Sequence, residues 1–330
     1  MFFLWPYWCN VFYVLSGFII SYSFVRHQKN GIFGYSDFLV FRVSRLFPVH
    51  ILSMILFIVC FGVYLTPETI HLPSFFSNLF LIHAFIPEQV YYFSFNSVSW
   101  SISSELFFYV AFCFLVRLKT KYLLMLFLSI LSVVVYTLIS PPESVPAHWL
   151  FYINPIFRLP DFIAGMLLCR FFLSTSFTPN YFLGSLIEIG SIVLLAITLF
   201  VASNFVSDMN LKFDIMFIPA MIAIVMAFSY NAGVLSKLLS NRIAILLGEA
   251  SFSFYMIHGI VISKLLALTA PSPDSYKSVF LTIGTALCIS TFVSILIYKK
   301  FELPLNRAIR RSWEKFRAHR TAAVYDKKSS

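Results

Sequence analysis

Glu105 is the first residue of this chain whose position asks for a chemical reason. It stands in the stretch from Asn96 to Tyr109, NSVSWSISSELFFY, about two turns inside a long apolar run. A carboxylate at membrane depth is costly and is normally turned toward protein. On a helix, Ser97, Ser101, Glu105 and Tyr109 share one stripe, with Ser104 beside it and Trp100 near its head. Such a stripe either builds a polar site, where the carboxylate could move a proton, or makes a packing seam held by serine hydroxyls.

Other stretches pair reactive side chains with apolar surroundings. In LGEASFSFYMIH (247–258), Gly248, Ser251, Tyr255 and His258 fall on one helical face. His258 would lie about 15 Å beyond Gly248, where an imidazole suits proton transfer. In FRVSRLFP (41–48), Arg42 and Arg45 are i,i+3 neighbours. They either anchor the chain at the membrane surface or grip phosphates bidentately, for example those of a nucleotide-bearing donor. His50, one turn deeper, reads as a satisfied core histidine. In NVFYVLSGFIIS (10–21), Asn10, Tyr13, Gly17 and Ser21 share a face with Ser16 adjacent. Close helix packing through small residues is the simpler reading there, and a nucleophilic Ser16 the other. In RLPDFIAG (158–165), Arg158 and Asp161 lie one turn apart, as in a structural ion pair. Glu302, two residues before Pro304, reads as a helix end.

The elements that must position these residues follow from composition. The 330 residues are 59% hydrophobic and only 12% charged, with mean hydropathy +0.85. Soluble domains carry roughly 25% charge, so a soluble class is excluded. Nine apolar runs are long enough to cross a bilayer as helices: 10–25, 43–65, 98–116, 122–139, 156–173, 183–203, 213–230, 243–268 and 279–298. The expected fold is all-α, a polytopic transmembrane helix bundle. Placing 26–42 (with Arg45), 117–121, 170–182, 231–242 and 299–330 in the cytoplasm puts 20 of the 24 Lys and Arg on that side, which orients the chain with its C-terminus inside. The net charge of +10 thus reflects topology, and no nucleic-acid motif accompanies it. The outer connection 66–97 holds His71, His83, Glu68 and Glu88 at spacings that match no metal-ligand pattern. Cys9, Cys60, Cys113, Cys169 and Cys288 form no C-x-x-C and read as packing residues. The basic tail 301–330 reads as an interfacial helix or a disordered segment at the anionic inner surface.

Taken together, six stretches resemble the acyltransferase 3 family of bacterial membrane proteins, which includes O-acetyltransferases of lipopolysaccharide, capsule and other exported polysaccharides. They are FYVLSGFII (12–20), RVSRLFP (42–48), WSISSELFFY (100–109), RLPDFIAG (158–165), LGEASFSFYMIH (247–258) and ELP (302–304). The resemblance implies a multi-pass enzyme of the bacterial cytoplasmic membrane. It would move an acyl group, acetyl by family expectation, from acyl-CoA to a hydroxyl of a glycan or lipid-linked glycan, with no metal. It maps the donor-binding motif on Arg42 and Arg45 and makes Glu105 and His258 the catalytic candidates. Ser16, Trp100, Ser101, Tyr109, Arg158, Asp161 and Tyr255 would line the substrate path or support it. The family's first helix carries an arginine and, about three turns on, a histidine held to be the catalytic base. Residues 1–12 match neither, so residues 1–300 are expected to be the membrane domain without that helix, and 301–330 a cytoplasmic tail. Two other readings stay open: a transporter of glycan or lipid-linked substrate, and an inactive fragment of an acyltransferase.

Overall fold

Backbone inside lipid has no water to bond, so each N–H and C=O must pair within its own segment, and apolar runs fold as helices. The computed structural model describes residues 8–29, 34–62, 71–213, 215–269 and 276–329, which form helices with short 3-10 and π turns and no strand. In chain order the α-helices are α1 (Trp8–Lys29), α2 (Tyr35–Phe61), α3 (Leu72–Leu79), α4 (Gln89–Tyr92), α5 (Trp100–Leu115), α6 (Thr120–Ile139), α7 (Leu159–Ser174), α8 (Tyr181–Asn204), α9 (Met209–Phe213), α10 (Ile218–Ser229), α11 (Val234–Leu239), α12 (Arg242–Glu249), α13 (Ser251–Thr269), α14 (Tyr276–Ile297) and α15 (Leu303–Ser329). The nine apolar runs meet helices only in part: 213–230 is divided among the end of α9, a 3-10 turn at Ile215–Phe217 and α10, 243–268 falls on the α12–α13 pair, and 98–116 and 156–173 give helices of 16 residues each. Among the described residues α2, α6, α8, α13 and the stretch Ser278–His319 are long and apolar enough to span a membrane, with α5 and Ile215–Ser229 apolar but shorter. The fold class is all-α and transmembrane-helical.

Three boundaries differ from the sequence reading. Helix α2 starts at Tyr35, ahead of residue 43, because Gly34 N–H donates to Asp37 Oδ2 at 2.8 Å and a first-turn carboxylate favours a helix N-terminus. Arg42 and Arg45 therefore sit inside α2 and not in the connection before it. Helix α5 starts at Trp100, so Ser97 precedes it and is exposed instead of extending the Glu105 stripe. A turn at Ala250 separates α12 from α13, so Gly248 is on a different helix from Tyr255 and His258. The connection 66–97 contains α3, a 3-10 turn at His83–Phe85, and α4. Pro67, Glu68 and the side chains of Cys9 and Asn10 lie outside the described residues.

The chain divides into two compact units. The first comprises Met1–Ile32, Leu81–Tyr92 and Ser103–Ala244. At its centre α1 crosses α7 at backbone contact. A methyl on Gly17 would stand 2.1 Å from the Phe162 carbonyl oxygen, and one on Gly165 would stand 2.0 Å from that of Val14. Any side chain there would push the helices apart. Around the crossing, Val14, Phe18, Leu168 and Cys169 pack with Phe217, Met221 and Val225, which ties α10 to the pair.

The second unit comprises Phe33–Phe80, Phe93–Ile102 and Ile245–Ser330. Within it α13 packs on α14 and α2, and α15 packs on α2. The α2–α15 contact is antiparallel and in register. Ser44 Oγ donates to Asn306 Oδ1 at 3.2 Å. One helical turn along, an Arg310 nitrogen lies 3.5 Å from the Phe41 carbonyl oxygen. Further along, Trp313 Nε1 and an Arg317 nitrogen donate to the buried Asp37 carboxylate at 2.7 and 2.6 Å. The basic tail is thus a helix docked on α2. It joins α14 through a π turn, Tyr298–Glu302, so the backbone does not end a helix at Glu302 as its sequence suggested.

Candidate active site

In the first unit Glu105 is buried on α5. Ser16 of α1 donates to its Oε1 at 3.4 Å. Tyr109, one turn further along α5, donates to the same oxygen. Two hydroxyls on one carboxylate oxygen fix the direction in which the carboxylate faces. The serines beside it make the packing seam as well. Ser103 donates to the Leu81 carbonyl at 2.6 Å and Ser104 to that of Ile153 at 3.4 Å. Both kinds of contact that the sequence allowed occur along this side of α5, serine to backbone and hydroxyl to carboxylate. Its serines hold neighbouring backbone, and its carboxylate holds hydroxyls.

Arg158 and Asp161 form an ion pair at 3.0 Å with both side chains fully buried. Arg158 Cζ also lies 5.4 Å from the ring centre of Tyr13, whose edge meets Phe108 at 5.0 Å. A pair this deep is electrically neutral as a unit, and removal of one partner would strand a charge in a dry place. Its geometry is that of a strut under α7.

In the second unit Trp100 is buried at the head of α5. Ser101 and Tyr255 share a hydroxyl–hydroxyl bond of 2.7 Å. Tyr255 Oη also lies 3.3 Å from the Val98 carbonyl oxygen. His258 is held from its own helix: Nδ1 is 2.7 Å from the Tyr255 carbonyl oxygen and 3.3 Å from that of Phe254. A carbonyl only accepts, so Nδ1 carries the hydrogen and Nε2 is the basic nitrogen of the neutral ring. The Phe254 ring lies parallel to the imidazole, 5.7 Å away, which sets its plane.

Arg42 and Arg45 are half-buried on one face of α2. Arg42 Cζ lies 5.6 Å from the Phe38 ring centre. Arg45 acts electrostatically on buried Glu302, which accepts a 2.6 Å bond from Ser253 Oγ. His50 is fully buried, with Nε2 donating to the Asn78 carbonyl at 3.0 Å, in keeping with a core histidine.

Sequence reasoning passed over two buried carboxylates. Glu188 of α8 is fully buried and accepts from the backbone N–H groups of Gly233, Leu235 and Ser236 and from Ser236 Oγ. It caps α11. The signal was available, because Glu188 is an acid inside an apolar run just as Glu105 is. Asp37 is the other, placed at the start of α2 and held from α15. Its polar neighbours hid it, since nothing local marks an acid near a span end as buried.

The sequence model of a family described as an acyltransferase domain matches residues 2–299. No curated protein and no solved structure matches the chain. With nearly its whole length accounted for by that match, the chain belongs to the acyltransferase 3 family.

Proposed function

We propose that this acyltransferase moves an acyl group, acetyl in the first instance, from acyl-CoA to a hydroxyl of a cell-surface or exported glycan. We place it in the bacterial cytoplasmic membrane with its C-terminus inside. The observation that carries the reading is the fixed tautomer of His258. A thioester-to-alcohol transfer needs a base for the hydroxyl proton, and Nε2 is a basic nitrogen held in a set plane. In the proposed step the hydroxyl proton passes to Nε2 as the oxygen bonds to the thioester carbon. The tetrahedral oxyanion collapses, the C–S bond breaks, and the thiolate takes the proton back. Tyr255, bonded to Ser101, orients the segment that carries the imidazole. Arg42 and Arg45 supply guanidinium forks for the donor's phosphates, which the donor's own charge calls for. Glu105, held by Ser16 and Tyr109, is the second catalytic candidate and is proposed to act within the first unit, where the Arg158–Asp161 pair keeps α7 in place.

The test uses membranes containing the full chain, labelled acetyl-CoA, and the glycan fraction of the host. Label in base-labile glycan ester is expected. Arg42→Ala/Arg45→Ala is expected to raise the KM for acetyl-CoA at least tenfold, by loss of charge-assisted bonds. Transfer that is unchanged in the double variant would remove the phosphate role of the pair. Movement of glycan across the membrane with no ester formed would favour a transporter.

A further inference from the structure

The positive charge beside Arg42 and Arg45 does not end with their own helix. The antiparallel register of α15 on α2 brings Arg310 to the level of Phe41, one residue before Arg42. Its Cζ lies 4.8 Å from the Phe41 ring centre, and its hydrogen bond to the Phe41 carbonyl is long, 3.5 Å. Its Nε is buried and meets no acceptor among the described residues. Both Arg42 and Arg45 act electrostatically on it, opposed by Glu314 one turn further along α15.

This is not how a surface-anchoring arginine is held. Arg307, Arg311 and Lys315 on the same helix are exposed, as a residue facing lipid headgroups or water should be. Arg310, like Arg317 further along, is drawn in over α2, but where Arg317 meets the Asp37 carboxylate, Arg310 meets the field of two further guanidiniums. Three guanidiniums meet two carboxylates here, Glu302 against Arg45 and Glu314 against Arg310, so like charge is left for a further anion to offset, and a buried guanidinium N–H without an acceptor among the described residues adds to the cost. A guanidinium is always charged and presents five N–H donors in a fixed fork, so the group cannot relieve itself by losing a proton. An anion with several phosphate groups answers both conditions. Coenzyme A carries a pyrophosphate and a separate 3′-phosphate, more oxygens than two arginines can hold in bidentate fashion.

We propose that Arg310 is a third phosphate-binding residue of the donor site, supplied to Arg42 and Arg45 by the helix that follows the last span. The inference rests on the donor reading given above and extends it, because it makes α15 part of the binding site.

The test measures binding of coenzyme A and of phosphate-free pantetheine to the purified full-length protein in detergent, with thermal unfolding alongside. Arg310→Gln is expected to weaken coenzyme A roughly tenfold, the loss of one charge-assisted contact, with pantetheine binding and the unfolding midpoint unchanged. Coenzyme A bound as tightly by Arg310→Gln as by the wild type overturns this inference alone. A loss of stability with equal weakening of both probes also overturns it, in favour of a packing role. A wild-type protein that binds no coenzyme A overturns the donor reading and this inference with it. If Arg310→Gln does not fold, Arg310→Lys decides. It keeps the charge without the fork, and at least threefold weaker coenzyme A binding supports the role, whereas unchanged binding sinks it.

Discussion

Glu105 and His258 are each held by short-range bonds that leave little freedom of direction, and their variants separate chemistry from folding. Glu105→Gln keeps an oxygen for Ser16 and Tyr109 to donate to, so the fold should survive. Transfer should fall by about 100-fold or more, the usual scale for removing a proton-handling or orienting group. Activity near the wild-type level in Glu105→Gln would reduce Glu105 to a packing role. On the proposed base role the neutral ring is the form that works and protonation at low pH removes it, so His258→Gln should flatten the acidic limb of the kcat/KM profile. A profile with the same acidic limb in His258→Gln would mean that another group is the base. At this scale the residue types were legible from the sequence and their partners were not. Ser16 and Glu105 are 89 positions apart, and no spacing rule connects them.

Two helix contacts depend on single residues. The α1–α7 crossing has no room for a Cβ on Gly17 or Gly165, and the obstructing atoms are backbone, which cannot step aside. Gly165→Val should destabilise by about 3 kcal/mol, the upper end of overpacking costs, seen as a lower unfolding midpoint in detergent. A midpoint unchanged in Gly165→Val would show that the helices are farther apart than described. Glu188→Ala would strand the backbone donors of Gly233, Leu235 and Ser236, each worth about 1–3 kcal/mol when buried without a partner. It should cost stability while leaving the turnover of the folded fraction intact. A turnover defect without loss of stability would move Glu188 from capping to chemistry. The small-residue seam was readable from Gly17 and its neighbours. The α11 cap was not, because it joins an acid in one helix to a turn 45 residues later.

For the whole molecule, the basic bias of the connecting segments predicts the side on which the chain ends. A fluorescent protein fused after Ser330 should fluoresce, and a phosphatase that works only outside the cytoplasm should be silent there. Active phosphatase at that position would invert the proposed orientation and remove acyl-CoA from the reach of Arg42 and Arg45. The tail itself shows where charge counting runs out. Its lysines and arginines suggest a headgroup-facing segment, and Arg307 and Arg311 suit that role. The in-register contacts of Asn306, Arg310, Trp313 and Arg317 with α2 were hidden, since they join residues more than 260 positions apart and no spacing rule connects them.

By itself the sequence determined that this protein is helical, that its helices are apolar and long enough for a membrane, and where several of their inward polar residues stand, Glu105 among them. Those properties are local: apolar length, backbone hydrogen bonding in lipid, and the cost of a charge in a dry place all act within one segment. Tertiary structure decided what the inward residues touch. It joined Glu105 to Ser16, set Arg158 of the Arg158–Asp161 pair against the Tyr13 ring, turned His258 so that Nε2 is its basic nitrogen, and brought Arg310 over the helix of Arg42 and Arg45. A polar group buried away from water takes whichever partner packing brings to it, and packing is a property of residues far apart in the chain.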